Sequence, residues 1–338
     1  MGHPHEGNVQ GDVETREREV SRPRRLDLPL VALRRAGREF AWLTLEAPPD
    51  WHSLPGQFVN ILCESDPAAA QASEGRPLDD ADAAEWPQAT GLEISRRWPV
   101  VRRPFSVARL ARAGGRVRLE VLVRAVGCGT RFLCARPVGS SLNVVGPLGN
   151  PFTAPEDDRL CILAGGGCGM APIFGLADYL AAGGKRCLCF FGAGSVREMP
   201  VEFRRPPLPT HDRIEIIDSV AEFAEARVPA VLASDDGSVG FRGLVTQALE
   251  AYLEQEWDGR PPVLYGCGPT PMLKALGDLA RRREWPCQLS LERFMGCGIG
   301  VCLSCVTKRR DAASQMGWTF RLTCRDGPVV DAADIIWD

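Results

Sequence analysis

The sequence predicts a small antiparallel β barrel, then a parallel α/β sheet domain, then a short segment organised around cysteines. Three observations predict this. Between about Leu28 and Val145, apolar and polar residues alternate, as in "FAWLTLEA" and "GRVRLEVLVRAV", where Val117, Leu119, Val121 and Val123 fall on one face. From Arg159 onward, apolar strand-like runs alternate with helical stretches such as "IFGLADYLAAGG", "GLVTQALEAYLEQE" and "TPMLKALGDLARRRE", the rhythm of a parallel sheet with helices on its faces. After Gln288, Cys297, Cys302 and Cys305 follow a C-x4-C-x2-C spacing, and Cys324 lies nineteen positions further on. A chain of 338 residues exceeds the usual size of one core, so two or three units are expected. We place a disordered tail at 1–25, the barrel at 26–152 with an insertion at about 65–98, the α/β domain at 153–287 and the cysteine segment at 288–338.

Composition narrows the function classes. Hydrophobic residues make up 45% and charged residues 25%, with a formal charge of -3, the profile of a globular protein with no reason to invoke nucleic acid. Thirteen cysteines is an odd number, and most sit singly in apolar runs such as "RLCILAG" and "KRCLCFFG", unlike a disulfide framework; a reducing cytoplasm fits them better. The first twenty residues contain no apolar core segment, so they read as neither secretory signal nor transit peptide, and His3 and His5 within them carry no ligand pattern. Leu160 to Ala177 runs without a charge, at the lower edge of a membrane span, but its glycines and Pro172 mark a buried strand, a glycine turn and a helix start instead.

The barrel justifies itself strand by strand up to "GQFVNILCE" and resumes at "RRPFSV". Between them, Ser65 to Trp98 is rich in Ala, Asp, Glu and Pro without a period, which reads as a surface insertion. In "RRPFS", Arg102 to Ser106, an arginine fork suits a diphosphate, and Ser106 with nearby N–H groups can serve a flavin ring or its ribityl chain. "GCGT", Gly127 to Thr130, precedes a helical turn and offers a second phosphate cradle. The sheet domain opens with a strand running into "AGGGCGMAP", where Gly165, Gly166, Gly167 and Gly169 let backbone N–H groups approach a pyrophosphate. The second strand ends "FFGAGSVRE" without the acid of the standard dinucleotide fingerprint, so the match is to a variant of that fold. Each motif taken alone is also an ordinary strand end or turn.

The cysteine spacing is that of a plant-type [2Fe–2S] cluster, with three thiolates from a tight loop and a fourth from a later strand. Zinc is the rival, but a zinc ribbon pairs two C-x2-C knuckles and Cys297 with Cys302 is too wide for one. Gly296, Gly298 and Gly300 suit a loop that wraps a cluster with positive φ angles and close N–H donors. Cys63, Cys134, Cys161, Cys187, Cys189 and Cys287 read as buried apolar residues, while Cys128 and Cys168 lie in the proposed phosphate turns. His52 and His211 have no partner pattern. No acid–base pair or nucleophile constellation is visible, and redox cofactors need none.

The order of RPFS, GxGT, GGGxGxAP, "ASDDGSVGFRGLVT", "YGCGPTPML" and "LERFMGCGIGVCLSC…CRDGPV" resembles the electron-transfer subunits of type B dihydroorotate dehydrogenase, within the ferredoxin-reductase superfamily, over about Leu28 to Val330. That resemblance implies an FAD-binding barrel, an NAD-binding sheet and a [2Fe–2S] segment. NADH would reduce FAD, and electrons would pass through the cluster to the FMN of a separate catalytic subunit in pyrimidine synthesis, in a heterotetramer of two chains of each kind. It assigns FAD contacts to Arg103, Pro104, Phe105, Ser106, Leu122, Val123, Arg124, Gly129 and Thr130, and cluster ligation to Cys297, Cys302, Cys305 and Cys324. It also puts Cys267 of "YGCGP" beside the nicotinamide, where the alternative is a small buried thiol, and favours NADH over NADPH, with Gly194 and Ser195 ending the second strand and Arg197 close by. Related reductase subunits of the superfamily are the runner-up, and a binding module that has lost the chemistry is the third reading. The chain departs from the family pattern in three places. Val123 stands where a tyrosine is usual, so a stacking contact on the cofactor is lost; the insertion is long; and "KRRDAASQMG" reads as extra loop between Cys305 and Cys324.

Overall fold

A computed structural model describes residues 22–63, 102–223, 226–255 and 257–337. Most of the expected tail and the whole 65–98 insertion lie outside the described residues. Six strands close the barrel: β1 (Arg24–Ala36), β2 (Phe40–Ala47), β3 (Phe58–Leu62), β4 (Arg102–Ala113), β5 (Arg116–Arg124) and β6 (Ser141–Leu148). They pair in the order β1-β2-β5-β4-β3-β6, and β6 returns to β1. Strand period places Val117, Leu119, Val121 and Val123 inside, against Leu43, Leu45, Ile61 and Val144. Helix α1 (Cys128–Ala135) covers one end. At the start of β1, Arg24 to Pro29 pair with β6.

One strand departs from its sequence pattern for a tertiary reason. The alternation in β2 implies one wet face, yet Phe40, Trp42 and Thr44 are buried like their neighbours. Phe40 and Trp42, with Leu122 and Ala108, form an outer face on which the second domain packs.

That domain is a nine-stranded sheet. Its strands are β7 (Cys161–Gly166), β8 (Cys187–Ala193), β9 (Pro209–His211), β10 (Ile216–Ile217), β11 (Ala230–Ser234), β12 (Gly240–Arg242), β13 (Val263–Cys267) and β14 (Cys287–Ser290), completed from the C-terminal segment by β17 (Val329–Asp331). The order is β17-β14-β13-β7-β8-β11-β12-β9, parallel from β14 to β9, with β10 antiparallel on β11 and β17 antiparallel on β14. "RIEIIDS" therefore contributes two residues of antiparallel strand rather than a full parallel one. Helix α2 (Met170–Ala182) lies on the barrel side, while α3 (Val245–Gln255) and α4 (Thr270–Arg283) cover the other face. Pro172 is tolerated because it falls in the first turn of α2, and Gly184 at φ +74 follows the helix end.

Close approach and paired charges join the two domains. A Cβ on Gly175 of α2 would stand 2.7 Å from the Ala108 carbonyl oxygen of β4, so only glycine permits this contact. Trp42 donates its indole N–H to the Pro200 carbonyl at 2.9 Å and sets its ring 5.6 Å from Phe174. Arg109 of β4 bonds Asp178 of α2 at 2.7 Å and also donates to the Glu222 carbonyl.

The cysteine segment is tied to the sheet. The expected boundary at 287/288 falls inside β14, and β17 returns beside it with Leu289 opposite Val330. Between these strands, β15 (Val306–Arg310) and β16 (Trp318–Leu322) form a hairpin, followed by the short turn α5 (Thr323–Asp326). "KRRDAASQMG" is thus only partly loop. Lys308 to Arg310 belong to β15, because Thr307 and Arg309 are buried under the hairpin and Arg309 donates to the Asp326 carbonyl.

Candidate redox site

Strand β7 has β8 on one side and β13 on the other, so the chain reverses its direction of sheet growth between β7 and β13. In open parallel sheets the crevice beyond the carboxyl ends at such a point is the ligand site. The glycine turn occupies it, each glycine for its own reason. Gly165 packs on Met170 and the Phe191 ring, and Gly166 on Met272 and Pro269. Gly167 sits at φ +55 with no atom within 4 Å of a Cβ placed on it, so the turn opens into space where a phosphate could approach. On Gly169, a Cβ would lie 2.2 Å from the Cys267 carbonyl oxygen.

Cys267 therefore ends β13 directly against this turn. Its thiol is buried, bonds Ser290, lies near Cys168 and Glu292, and is pushed up to about 12 by burial. Cys168 in turn reaches the backbone of Arg124 in β5. The nucleotide crevice of the sheet and the end of a barrel strand thus face each other.

At the barrel mouth the structure brings two sequence motifs together. Arg103 of β4 passes its side chain over α1: a Cβ on Gly129 would meet Cys63 at 3.3 Å and the Arg103 Cγ at 3.6 Å. The first turn of α1 holds no acid, and a Cβ on Gly127 would meet nothing within 4 Å. A guanidinium beside an open helix start can hold a diphosphate. Thr130 braces this turn. Its hydroxyl accepts from the Val126 and Gly127 N–H groups and donates to the Gly127 carbonyl, so it fixes the loop.

The RPFS strand splits by side. Phe105 points into the barrel core, while Pro104 and Ser106 alternate to the outer face. Of the middle motif, Leu122 faces the sheet domain and Arg124 bonds Glu39 beside the Phe40 ring. Val123 is turned the other way. Its side chain lies inside the barrel, because β5 turns alternate residues inward, and it contributes backbone at most.

The four cysteines stand as two pairs. The Cys297 N–H lies 3.4 Å from the Cys302 Sγ, and the Cys324 N–H 3.4 Å from the Cys305 Sγ. Among the described residues, no three His, Cys, Asp or Glu side chains gather as a single-ion site. Two pairs are what a two-iron cluster takes, since each iron binds two thiolates. The hairpin explains the second pair, because Val306 opposite Leu322 brings Cys305 back to Cys324. Cys324 sits in the turn α5 just after β16 rather than in a strand.

Backbone donors converge on the sulfurs. Ile299, Val301 and Cys302 all point N–H groups at the Cys297 Sγ, at 3.4, 3.3 and 3.4 Å. The loop achieves this through Gly298 at φ +69, Gly300 at φ +86 and Leu303 at φ +58. Ser304 lies 3.1 Å from the Cys302 Sγ, accepts from the Gly296 N–H, and with the loop amides draws that thiol down to about 6. Donors aimed at thiolates are the surroundings that an iron–sulfur cluster requires.

The loop rests on the barrel. Phe58 and Leu148 pack on Cys305, Leu322 and Cys324. Asn60 of β3 is 1% exposed and donates its side-chain N–H to the Cys297 carbonyl at 3.0 Å. Sequence reading passed over Asn60, although an amide inside the apolar run "FVNIL" was a signal. On the other side the loop is bare, with Phe294 99%, Val301 75%, Leu303 63% and Ile299 54% exposed.

Fold and site together define a flavin-dependent reductase with an added two-iron segment. In fold, the chain is similar to an NADH-dependent reduced ferredoxin-NADP oxidoreductase (TM-score 0.65, 23% identity, 92% of this chain and 90% of that one). It is also similar to the ferredoxin reductase of carbazole 1,9a-dioxygenase (TM-score 0.53, 20% identity, 78% and 67%). A family model for the iron–sulfur cluster binding domain of dihydroorotate dehydrogenase B matches residues 292–336. Two relatives carry the name dihydroorotate dehydrogenase B (NAD(+)), electron transfer subunit. The one from Caldanaerobacter subterraneus is 34% identical over 70% of this chain and 81% of its own length. The one from Desulforamulus reducens is 31% identical over 85% and 88%. The chain belongs to this family of electron transfer subunits.

Proposed function

We propose that the chain oxidises NADH and delivers the electrons to the FMN of a separate dihydroorotate-oxidising subunit, in a cytoplasmic assembly of two chains of each kind. When bound, FAD accepts the hydride and the [2Fe–2S] cluster carries electrons onward one at a time. Residues 26–152 hold the FAD, 153–287 the nucleotide and 288–338 the cluster. Arg103 and the start of α1 take the FAD diphosphate, while Pro104 and Ser106 line the flavin. The turn from Gly165 to Gly169 receives the NADH pyrophosphate, and Cys267 closes the nicotinamide end. Cys297 with Cys302, and Cys305 with Cys324, hold the irons.

The observation that carries this reading is the placement of the cysteine loop. It lies on the barrel strand paired with RPFS, and its far side exposes Phe294, Ile299, Val301 and Leu303. A cluster so placed is close to the flavin strand on one side and to a docking partner on the other, since large exposed apolar patches mark interaction sites. No described helix is long and apolar enough to cross a membrane.

The test is reconstitution. The purified chain should be yellow-brown and should reduce artificial dyes with NADH. Mixed with a dihydroorotate dehydrogenase catalytic chain, it should support NAD-linked dihydroorotate oxidation that neither chain performs alone. A colourless chain, or dihydroorotate oxidation by this chain alone, overturns the proposal.

A further inference from the structure

We propose that Asn60 is the positioning residue that couples the flavin strand to the cluster loop and sets their separation. The inference rests on the function proposed above.

Three observations support it. First, Asn60 has a neighbour in each cofactor motif. In the β3–β4 ladder it is opposite Pro104 of RPFS, and its side chain donates to the carbonyl of the ligand Cys297. Asn60 and Pro104 are a non-hydrogen-bonded pair of the ladder, packed side by side, so Asn60 fixes how far the ligand loop stands from the flavin strand through one side chain and one hydrogen bond. Second, the contact is too tight to be incidental. A Cβ on Gly298, the residue after the ligand, would stand 2.0 Å from the Asn60 Nδ2, so the loop presses its bare backbone onto this amide. Third, Asn60 is itself braced, because Arg102 donates to its backbone carbonyl at 3.3 Å and to that of Asn143 at 3.2 Å. An amide 1% exposed in an otherwise apolar strand costs folding free energy unless bonded, and here its partner is the cluster loop.

The step that Asn60 would serve is the transfer of a single electron from the flavin side to the cluster. No bond forms or breaks in it, and no proton is required at Asn60. Its rate depends on the separation and orientation of the two centres, so a residue that fixes them should govern that step more than the hydride transfer before it.

Two variants approach the contact from opposite sides. Asn60→Ala removes the donor and decides the question, while Gly298→Ala drives a methyl group into the same contact and also strains the loop at φ +69. Stopped-flow absorbance with NADH would follow flavin bleaching and cluster reduction separately, and electron paramagnetic resonance would record the reduced cluster. Both variants should lower the ratio of the cluster-reduction rate to the flavin-reduction rate roughly tenfold or more. At equal iron and acid-labile sulfide content, both should also alter the resonance line shape, while the rate ratio separates a positioning role from one that only holds the loop. If both variants load iron normally and keep the wild-type rate ratio and line shape, the role of Asn60 falls while the proposed function stands. If the wild-type chain itself shows no cluster reduction by NADH, the proposed function falls first. Loss of iron in Asn60→Ala alone, with Gly298→Ala loaded and unchanged in rate ratio, also overturns the inference, since the contact would then serve only to hold the loop.

Discussion

Replacing Gly169 by alanine tests the nucleotide crevice directly. Gly169 sits at φ -66 and ψ -12, a conformation that alanine adopts without strain, so any effect must come from the space around the new methyl group. That space is taken. The methyl carbon would lie 2.2 Å from the Cys267 carbonyl oxygen, 2.3 Å from its carbon and 2.5 Å from the Gly268 nitrogen, all backbone atoms. Restoring ordinary contact requires the glycine turn and the β13–α4 connection to separate by about 1 Å. Overpacking of this kind costs about 1–3 kcal/mol. For a chain of this size, that lowers Tm by about 2–10 °C. A displacement of about 1 Å at a site that positions a reactant can cost on the order of a hundredfold in rate, so NADH reduction of the flavin should slow by about tenfold to a hundredfold. Gly277→Ala is the matched control. It lies inside α4, where the new methyl would meet Ala332 and Leu289 at 3.6 Å, an ordinary contact, and the helix should gain about 0.5–1 kcal/mol. Calorimetry and stopped-flow bleaching with NADH measure both outcomes. If Gly169→Ala matches the wild type in Tm and in NADH reduction, the two loops do not meet as described and the crevice assignment is wrong.

Three further outcomes are expected. Cys302→Ser should lose the cluster and keep FAD, since the ligand loop and the barrel motifs are separate segments; unchanged iron and acid-labile sulfide would refute the ligand assignment. Ser304→Ala should lower the cluster potential by on the order of tens of millivolts, because a hydroxyl directed at the Cys302 sulfur favours the more negative reduced state; redox titration reads this, and a raised potential contradicts it. Leu303→Asp should weaken assembly with the catalytic chain without slowing NADH-to-dye turnover. Leu303 is 63% exposed, and its φ of +58 is one that Asp tolerates. Unchanged complex formation by sedimentation would remove this loop from the interface.

Much of the architecture was legible because local rules govern it. The inward face of β5 followed from strict alternation, the helices from their periodic runs, and the cluster ligands from a spacing that few other chemistries use. Where the sequence reading fell short, another part of the chain decides the surroundings, as at Phe40, Trp42 and Lys308 to Arg310. The alternation of "FAWLTLEA" accounts for one buried face of β2, and the sheet domain covers Phe40 and Trp42 on the other. The side chain of Val123 fills the barrel, as strand alternation dictates, and Thr130 uses its hydroxyl to hold its own turn. Lys308 to Arg310 looked like inserted loop, because only the paired β16 reveals them as strand.

By itself, then, the sequence determined the order of the units, the residues that each cofactor motif contains and the chemistry those residue types can support. These depend on neighbours within a few positions, where backbone period, glycine freedom and ligand spacing act. Only the tertiary structure decided which motifs meet: Arg103 with Gly129, Gly169 with Cys267, Cys305 with Cys324 and Asn60 with Cys297. The last of these contacts spans 237 positions of chain. No local pattern encodes it, because its energy comes from packing two distant backbones closely enough that one residue must be glycine and the other must offer a hydrogen bond.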